Sequence, residues 1–188
     1  MDDKKTLLLE AAIDLFSKEG FWNTSTARIS KHARVATGTL FNYFPSKEAL
    51  IDEVYVTLKH ELLDAISTGG AGTDDPRAYI EQLFKQFVAW GTNNPVRYSL
   101  LEQLRISDLV SQEVQQKMID EFGYVLELIE RGIKSGTLVK APQNYLAYVI
   151  FANAEYTVRY ARDNEVTGKA LNRLSDKGFT LLWKGITP

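Results

Sequence analysis

The sequence predicts an all-α protein of about nine helices, a small N-terminal helix-turn-helix module followed by a larger C-terminal bundle. Three observations carry this expectation. Apolar residues recur at steps of three and four along almost the whole chain, the period of one helix face. Helix punctuation divides that pattern: Gly20 and Gly136 close segments, while Pro76, Pro95 and Pro142 open them. No stretch shows the period-two alternation of a half-buried strand. The 188 residues are 45% apolar and 24% charged, which is globular composition. The absence of cysteine excludes disulfides, thiolate metal sites and cysteine nucleophiles.

Leu8, Ala11, Ala12, Leu15 and Phe16 share one face of a first helix over about 4–19, ended by Gly20. Thr24, Ser25 and Thr26 are hydroxyl residues suited to capping a short second helix through Ala33. A third, from Thr37 to Phe44, stops before Pro45, because proline disfavours helix at the residue preceding it. Two short helices around a turn at 34–36 make a helix-turn-helix candidate over about 25–44. Leu50, Val54, Leu58, Leu62 and Ala65 mark a long fourth helix, about 46–67, dissolved by Thr68, Gly69, Gly70, Ala71 and Gly72.

Asp75 caps a fifth helix with Ile80, Leu83, Phe84, Phe87 and Val88 inward, and Pro95 opens a sixth that reaches about Ser107. A seventh is expected in one piece from about Ser111 to Gly136. Pro142 opens the eighth, whose segment Tyr145 to Ala152 is apolar on every side and needs cover from more than one direction. That run is far shorter than the roughly 20 residues of a membrane span. The N-terminus lacks the pattern of a secretion signal, so a cytoplasmic protein with no membrane partner is expected. The ninth helix, about 167–184, carries Leu171, Leu174, Gly178 and Leu181 on one side. Gly178 in mid-helix costs about 1 kcal/mol relative to Ala unless a close helix approach offsets it.

Charge singles out one segment. The chain has a net charge of −2, yet from Phe21 to Lys47 it holds Arg28, Lys31, Arg34 and Lys47 and no Asp or Glu. This cationic stretch coincides with the helix-turn-helix candidate. In the third helix Leu40 and Phe44 can pack inward while Thr39, Asn42 and Tyr43 project elsewhere. Such a helix suits the DNA major groove, where Asn bonds an adenine edge in two places, a Thr methyl meets a thymine methyl, and lysine reaches phosphate. The bland alternative is an ordinary polar surface with Tyr43 in the core. Enzyme readings fare worse, because His32 and His60 are the only histidines and cannot build a metal cluster or a Ser/His triad. Neither a catalytic residue, a metal nor a cofactor is expected.

The run from Leu8 to Leu50, with AAIDLFSKEGFWNTS, ARISKHARV and TGTLFNYFPSKEAL, resembles the N-terminal domain of TetR-type (TetR/AcrR) transcriptional regulators. The resemblance implies a tetracycline-repressor-like homodimer that reads a palindromic operator in double-stranded DNA and answers to a small-molecule inducer or co-repressor. It divides the chain into a DNA-binding domain, 2–62, and a ligand-binding and dimerisation domain, 63–188. It places Thr24, Ser25, Thr26 and Arg28 at the backbone-facing second helix, Thr37, Gly38, Thr39, Phe41, Asn42 and Tyr43 on the recognition helix, and Lys47 at a phosphate.

Three positions depart from the family pattern. Arg34 stands where Gly is frequent, and a left-handed backbone there carries a strain of roughly 1 kcal/mol, with a phosphate contact as the compensation. Ala36 replaces a frequent Ser cap, and Phe41 replaces a common Tyr.

The resemblance gathers aromatic residues of the C-terminal half around a cavity for an apolar or flat ligand: Trp90, Tyr98, Phe122, Tyr124, Tyr148, Phe151 and Tyr156, with plain core as the alternative. Dimer contacts are expected on the last two helices at Tyr145, Val149, Ala152, Leu171, Leu174, Gly178 and Leu181. The function expected is thus a ligand-responsive repressor. The alternative is a helical ligand-binding or protein-interaction module that no longer reads DNA sequence.

Overall fold

The computed structural model describes residues 3–67 and 75–188. Among them are ten α-helices and no strand: α1 (Asp3–Glu19), α2 (Thr26–His32), α3 (Thr37–Tyr43), α4 (Lys47–Ser67), α5 (Pro76–Asn93), α6 (Pro95–Arg105), α7 (Gln112–Glu121), α8 (Gly123–Lys134), α9 (Gln143–Asp163) and α10 (Gly168–Ile186). The glycine-rich run 68–72, expected to end α4, lies outside the described residues. No helix of the described residues is long and apolar enough to cross a membrane.

The tenth helix comes from a break that periodicity concealed. The seventh helix was expected to be continuous, but at Phe122 the backbone leaves the helical region (φ −86°, ψ 5°). There the Phe122 N–H bonds to the Ile119 carbonyl at 3.1 Å and the Val125 N–H to the Phe122 carbonyl at 3.0 Å. Both bonds span three residues rather than four, the tighter 3₁₀ turn, and Gly123 beside them weakens the helix further.

The chain forms two compact units. The first contains residues up to His60 together with Val96–Met118. Its core is Leu8, Ala12, Phe16, Ile29, Leu40, Phe44, Leu50, Val54 and Leu58, all buried, where each large apolar side chain contributes about 1.5–3 kcal/mol. Lys5 Nζ meets Glu53 Oε1 at 2.6 Å and ties α1 to α4. The segment 96–118 belongs here for specific reasons. Leu100 and Leu104 of α6 are fully buried, the Arg97 guanidinium pairs with Glu10 of α1, and the Ser111 N–H donates to Asp52 Oδ1 at 2.8 Å. The sixth helix is therefore part of the unit that contains the helix-turn-helix segment, although its sequence position lies beyond 62.

The second unit is the described part of Glu61–Pro95 with Ile119–Pro188. In it α5 packs on α8, α9 and α10, and α9 on α8 and α10. Phe84 and Phe87 of α5 lie 6.1 Å from the Phe179 ring and 6.0 Å from the Phe151 ring. Gly178 sits where helices crowd, since a Cβ there would stand 3.1 Å from both Phe84 Cζ and Thr157 Oγ1. Close approach thus accounts for glycine in mid-helix, and it points Gly178 into the unit, not onto the exposed side where a dimer contact was expected.

Candidate functional site

The site begins at the turn between α1 and α2. Gly20 takes a left-handed backbone (φ 78°) that ends α1, and the Thr24 hydroxyl donates back to the Gly20 carbonyl at 2.8 Å. Thr24 is 1% exposed. Its expected role in DNA contact is corrected accordingly: Thr24 shapes the loop from inside. Ser25 is the N-cap of α2, its exposed Oγ accepting the Arg28 N–H at 3.2 Å, which leaves the hydroxyl proton available to an outside acceptor. Thr26 is half-buried. The exposed Arg28 guanidinium pairs with Glu19 of α1, and His32 Nε2 stands 3.2 Å from Asp14 Oδ2. The acid-free stretch is therefore partly balanced by carboxylates of α1, a contact that counting within the stretch misses.

The turn between α2 and α3 is a Schellman motif. Ala33 ends α2, Arg34 is left-handed (φ 55°), the Arg34 N–H bonds to the Lys31 carbonyl at 3.2 Å and the Val35 N–H to the Ser30 carbonyl at 2.9 Å. The position that favours glycine thus holds an exposed cation at the entrance to α3. Ala36 is the N-cap of α3 and makes no side-chain cap bond.

On α3, Leu40 is fully buried and Phe44 just after the helix nearly so. Thr37, Gly38, Phe41 and Asn42 are exposed, while Thr39 and Tyr43 are half-buried at the flank. The exposed face thus offers a hydroxyl, a carboxamide, an aromatic ring and, at Gly38, bare backbone, with no acidic side chain. Lys47 opens α4, and its half-buried ammonium donates to the Phe21 carbonyl, which fastens the start of α4 to the α1–α2 turn. Next to it the Glu48 carboxyl is held below its usual range by its own backbone N–H and by the Ser46 hydroxyl, so it stays ionised.

The aromatic residues of the second half separate. Tyr98 of α6 is buried and belongs to the first unit. Trp90 is buried in the second unit, and the half-buried Phe122 meets the half-buried Phe151 edge-on at 6.4 Å, so Trp90, Phe122 and Phe151 are the expected ligand residues that the unit at least partly encloses. Tyr148 and Tyr156 are not enclosed. They are 74% and 67% exposed, because they share the outer face of α9 with Tyr145, Ala152 and Tyr160, opposite the buried Leu146, Ile150, Ala154 and Val158. Of the other expected dimer residues, Val149, Leu171 and Leu174 are half-buried and Leu181 is 71% exposed.

Tyr124, one of the aromatic residues expected around the cavity, has two partners that the sequence does not single out. Tyr79 of α5 lies edge-on to Tyr124 of α8 at 6.3 Å, and the Tyr124 hydroxyl is 3.4 Å from Ser67 Oγ. Burial, with Tyr124 adding to it, pushes the Tyr79 hydroxyl up to about 12.

These features have relatives. Residues 8–54 match the model for bacterial regulatory proteins of the tetR family. The HTH-type transcriptional regulator RutR of Escherichia coli (strain K12) is 31% identical over 200 aligned positions, covering 98% of this chain and 91% of RutR. The crystal structure of a tetR family transcription regulator from Shewanella sp. PV-4 is 32% identical, covers 98% of both chains and superposes with a TM-score of 0.83. At 18% identity, FadR of Bacillus subtilis, solved in complex with stearoyl-CoA, shares the fold with a TM-score of 0.79 over 96% of this chain and 98% of its own. With its helix-turn-helix segment inside the matched residues and full-length relatives that are regulators rather than enzymes, the chain belongs to the tetR family of bacterial regulatory proteins and is a DNA-binding transcriptional regulator.

Proposed function

We propose that the protein is a cytoplasmic repressor that binds a palindromic operator as a homodimer and is released by a small apolar or aromatic ligand. One observation carries the DNA reading: α3 exposes Thr37, Gly38, Phe41 and Asn42 with the Arg34 cation at its entrance and no acid on that face. In this assignment Asn42, with Thr39 and Tyr43 on its flank, reads base edges in the major groove. Ser25, Thr26, Arg28, Arg34, Thr37 and Lys47 meet phosphates, and Gly38 and Phe41 allow the backbone and ring to approach the sugar-phosphate chain. Arg28 exchanges Glu19 for a phosphate, or bridges the two.

The outer face of α9, with Tyr145, Tyr148, Ala152, Tyr156 and Tyr160, and Leu181 of α10 supply an apolar surface of the kind that pairs isologously in a twofold dimer. Trp90, Phe122 and Phe151 are the residues assigned to an apolar ligand, and the stearoyl-CoA in FadR supports a fold that can house one. Release then follows from linkage, since a ligand that prefers a conformation with misplaced recognition helices weakens operator binding by the same factor.

The test is selection of bound duplexes from a random DNA library by the purified protein at near-physiological salt. Enrichment of an inverted repeat is expected. A folded protein that enriches no sequence would favour the alternative, a helical module that no longer reads DNA.

A further inference from the structure

The turn joining α1 to α2 holds an indole that the fold itself does not use. Trp22 is 83% exposed, more than any other large apolar side chain among the described residues. Its surroundings are fixed. The Gly20 N–H bonds to the Phe16 carbonyl at 3.0 Å, Thr24 Oγ1 donates to the Gly20 carbonyl at 2.8 Å, and Asn23 Nδ2 donates to the Glu19 carbonyl at 3.1 Å. Phe21, next to Trp22, is buried with its ring 5.1 Å from that of Phe16. A clamped turn therefore presents a large amphipathic ring to water, where it gains no burial and its N–H faces solvent.

Two placements say what such a ring meets. The Phe21 carbonyl that accepts the Lys47 ammonium is bonded covalently to the Trp22 nitrogen, so that cation stands at the root of the indole. Three residues on, Ser25 caps α2 with an exposed hydroxyl. No acidic residue occurs between Phe21 and Lys47. An anionic chain that reaches Lys47 and Ser25 passes within reach of Trp22, and tryptophan suits it with one N–H donor and a flat apolar face.

We propose that Trp22 is a DNA-backbone contact: its Nε1–H donates to a phosphate oxygen beside the one Lys47 engages, and its ring lies on the adjoining deoxyribose. The proposal rests on the DNA-binding reading above and adds a residue to it. A neutral donor displaces no counterion and touches no base edge, so it strengthens binding to every sequence without changing the salt dependence.

The test compares full-length parent, Trp22→Phe, Trp22→Ala and Lys47→Ala on a random-sequence duplex of about 30 base pairs across a salt series. Trp22→Phe keeps the ring and loses the donor. It should bind about three- to tenfold more weakly, the range of one hydrogen bond, and Trp22→Ala more weakly still. Both should keep the parent slope of log affinity against log salt, whereas Lys47→Ala should reduce that slope by about one. In 5-fluorotryptophan-labelled parent, the ¹⁹F resonance that disappears in Trp22→Phe should shift on adding duplex. Unchanged affinity of Trp22→Ala, or a Trp22 resonance that ignores DNA, would overturn the proposal. A parent that binds no duplex would remove the DNA reading and the proposal with it, an outcome visible before any variant is made.

Discussion

The exposed faces of α3 and α9 are built from opposite chemistry. On α3 the exposed residues include Thr37, Gly38 and Asn42, small or hydrogen-bonding, with a single ring at Phe41. On α9 the corresponding face carries Tyr145, Tyr148, Tyr156 and Tyr160, four large exposed rings. The first loses little by staying in water and gains only when a hydrated, charged partner supplies matching donors and acceptors. The second leaves large apolar area in contact with water, and burial of such area is worth about 25 cal/mol per Å². Exposure alone is uninformative: the chemistry of the exposed side chains is what supports reading α3 as a nucleic-acid face and α9 as a protein face.

Charging the α9 face should have the largest effect. Tyr148→Glu combined with Tyr156→Glu places two carboxylates on each copy of a surface assigned to self-association, where burying an unpaired charge costs several kcal/mol. The variant should sediment as a folded monomer at micromolar concentration, with operator affinity falling by orders of magnitude because half-sites are then bound singly. A stable dimer of that variant would move the interface elsewhere. Two matching changes on α3, Thr37→Glu and Asn42→Glu, should leave the oligomeric state alone and abolish DNA binding.

A finer test stays within the first unit. Asn42→Ala should cost about 1–3 kcal/mol at one base position and nothing on random duplex. Lys47→Ala should weaken all sequences alike and, by deleting the bond to the Phe21 carbonyl, loosen the α1–α2 turn as well. Its melting temperature should therefore drop where that of Asn42→Ala does not. Equal behaviour of the two variants on specific and random DNA would undo the division into base reader and backbone anchor.

The helix starts at Pro76, Pro95 and Pro142 and the stop at Gly20 were legible because each rests on a local rule about backbone donors or left-handed geometry. The break at Phe122 was not, since Val114, Met118, Val125 and Ile129 keep an unbroken apolar rhythm across it and only Gly123 hints at the interruption. Thr24 looked like a surface hydroxyl because its burial depends on how Gly20 turns the chain. Arg28 looked uncompensated because Glu19 lies outside the acid-free stretch, on another helix. The direction of Tyr148 and Tyr156 was within reach: they share a helical phase with Arg159 and Asp163, whose charges mark the water side of α9, while the apolar run around Tyr148 hid that phase. Trp22 had only its position after Phe21 to distinguish it.

The smallest effect is expected at a backbone device that the two regions share. Among the described residues, Arg34 after α2 and Glu165 after α9 are the two non-glycine residues with positive φ, 55° and 54°. Each follows a helix end closed in the same manner. The Val166 N–H reaches the Ala161 carbonyl at 2.8 Å and the Glu165 N–H the Arg162 carbonyl at 3.2 Å, as Val35 and Arg34 do with Ser30 and Lys31. Glycine at either site removes a left-handed strain of about 1–2 kcal/mol and returns about 0.4–1 kcal/mol through a more disordered unfolded chain. Arg34→Gly and Glu165→Gly should therefore each gain a few tenths to about 1 kcal/mol in urea unfolding, with unchanged slopes. Only Arg34→Gly should weaken DNA binding and lower its salt slope, by about one, since it alone deletes a cation from the DNA face. If both variants were stabilised and both bound DNA like the parent, Arg34 would be strain without a function and the phosphate assignment at the α2–α3 turn would fall.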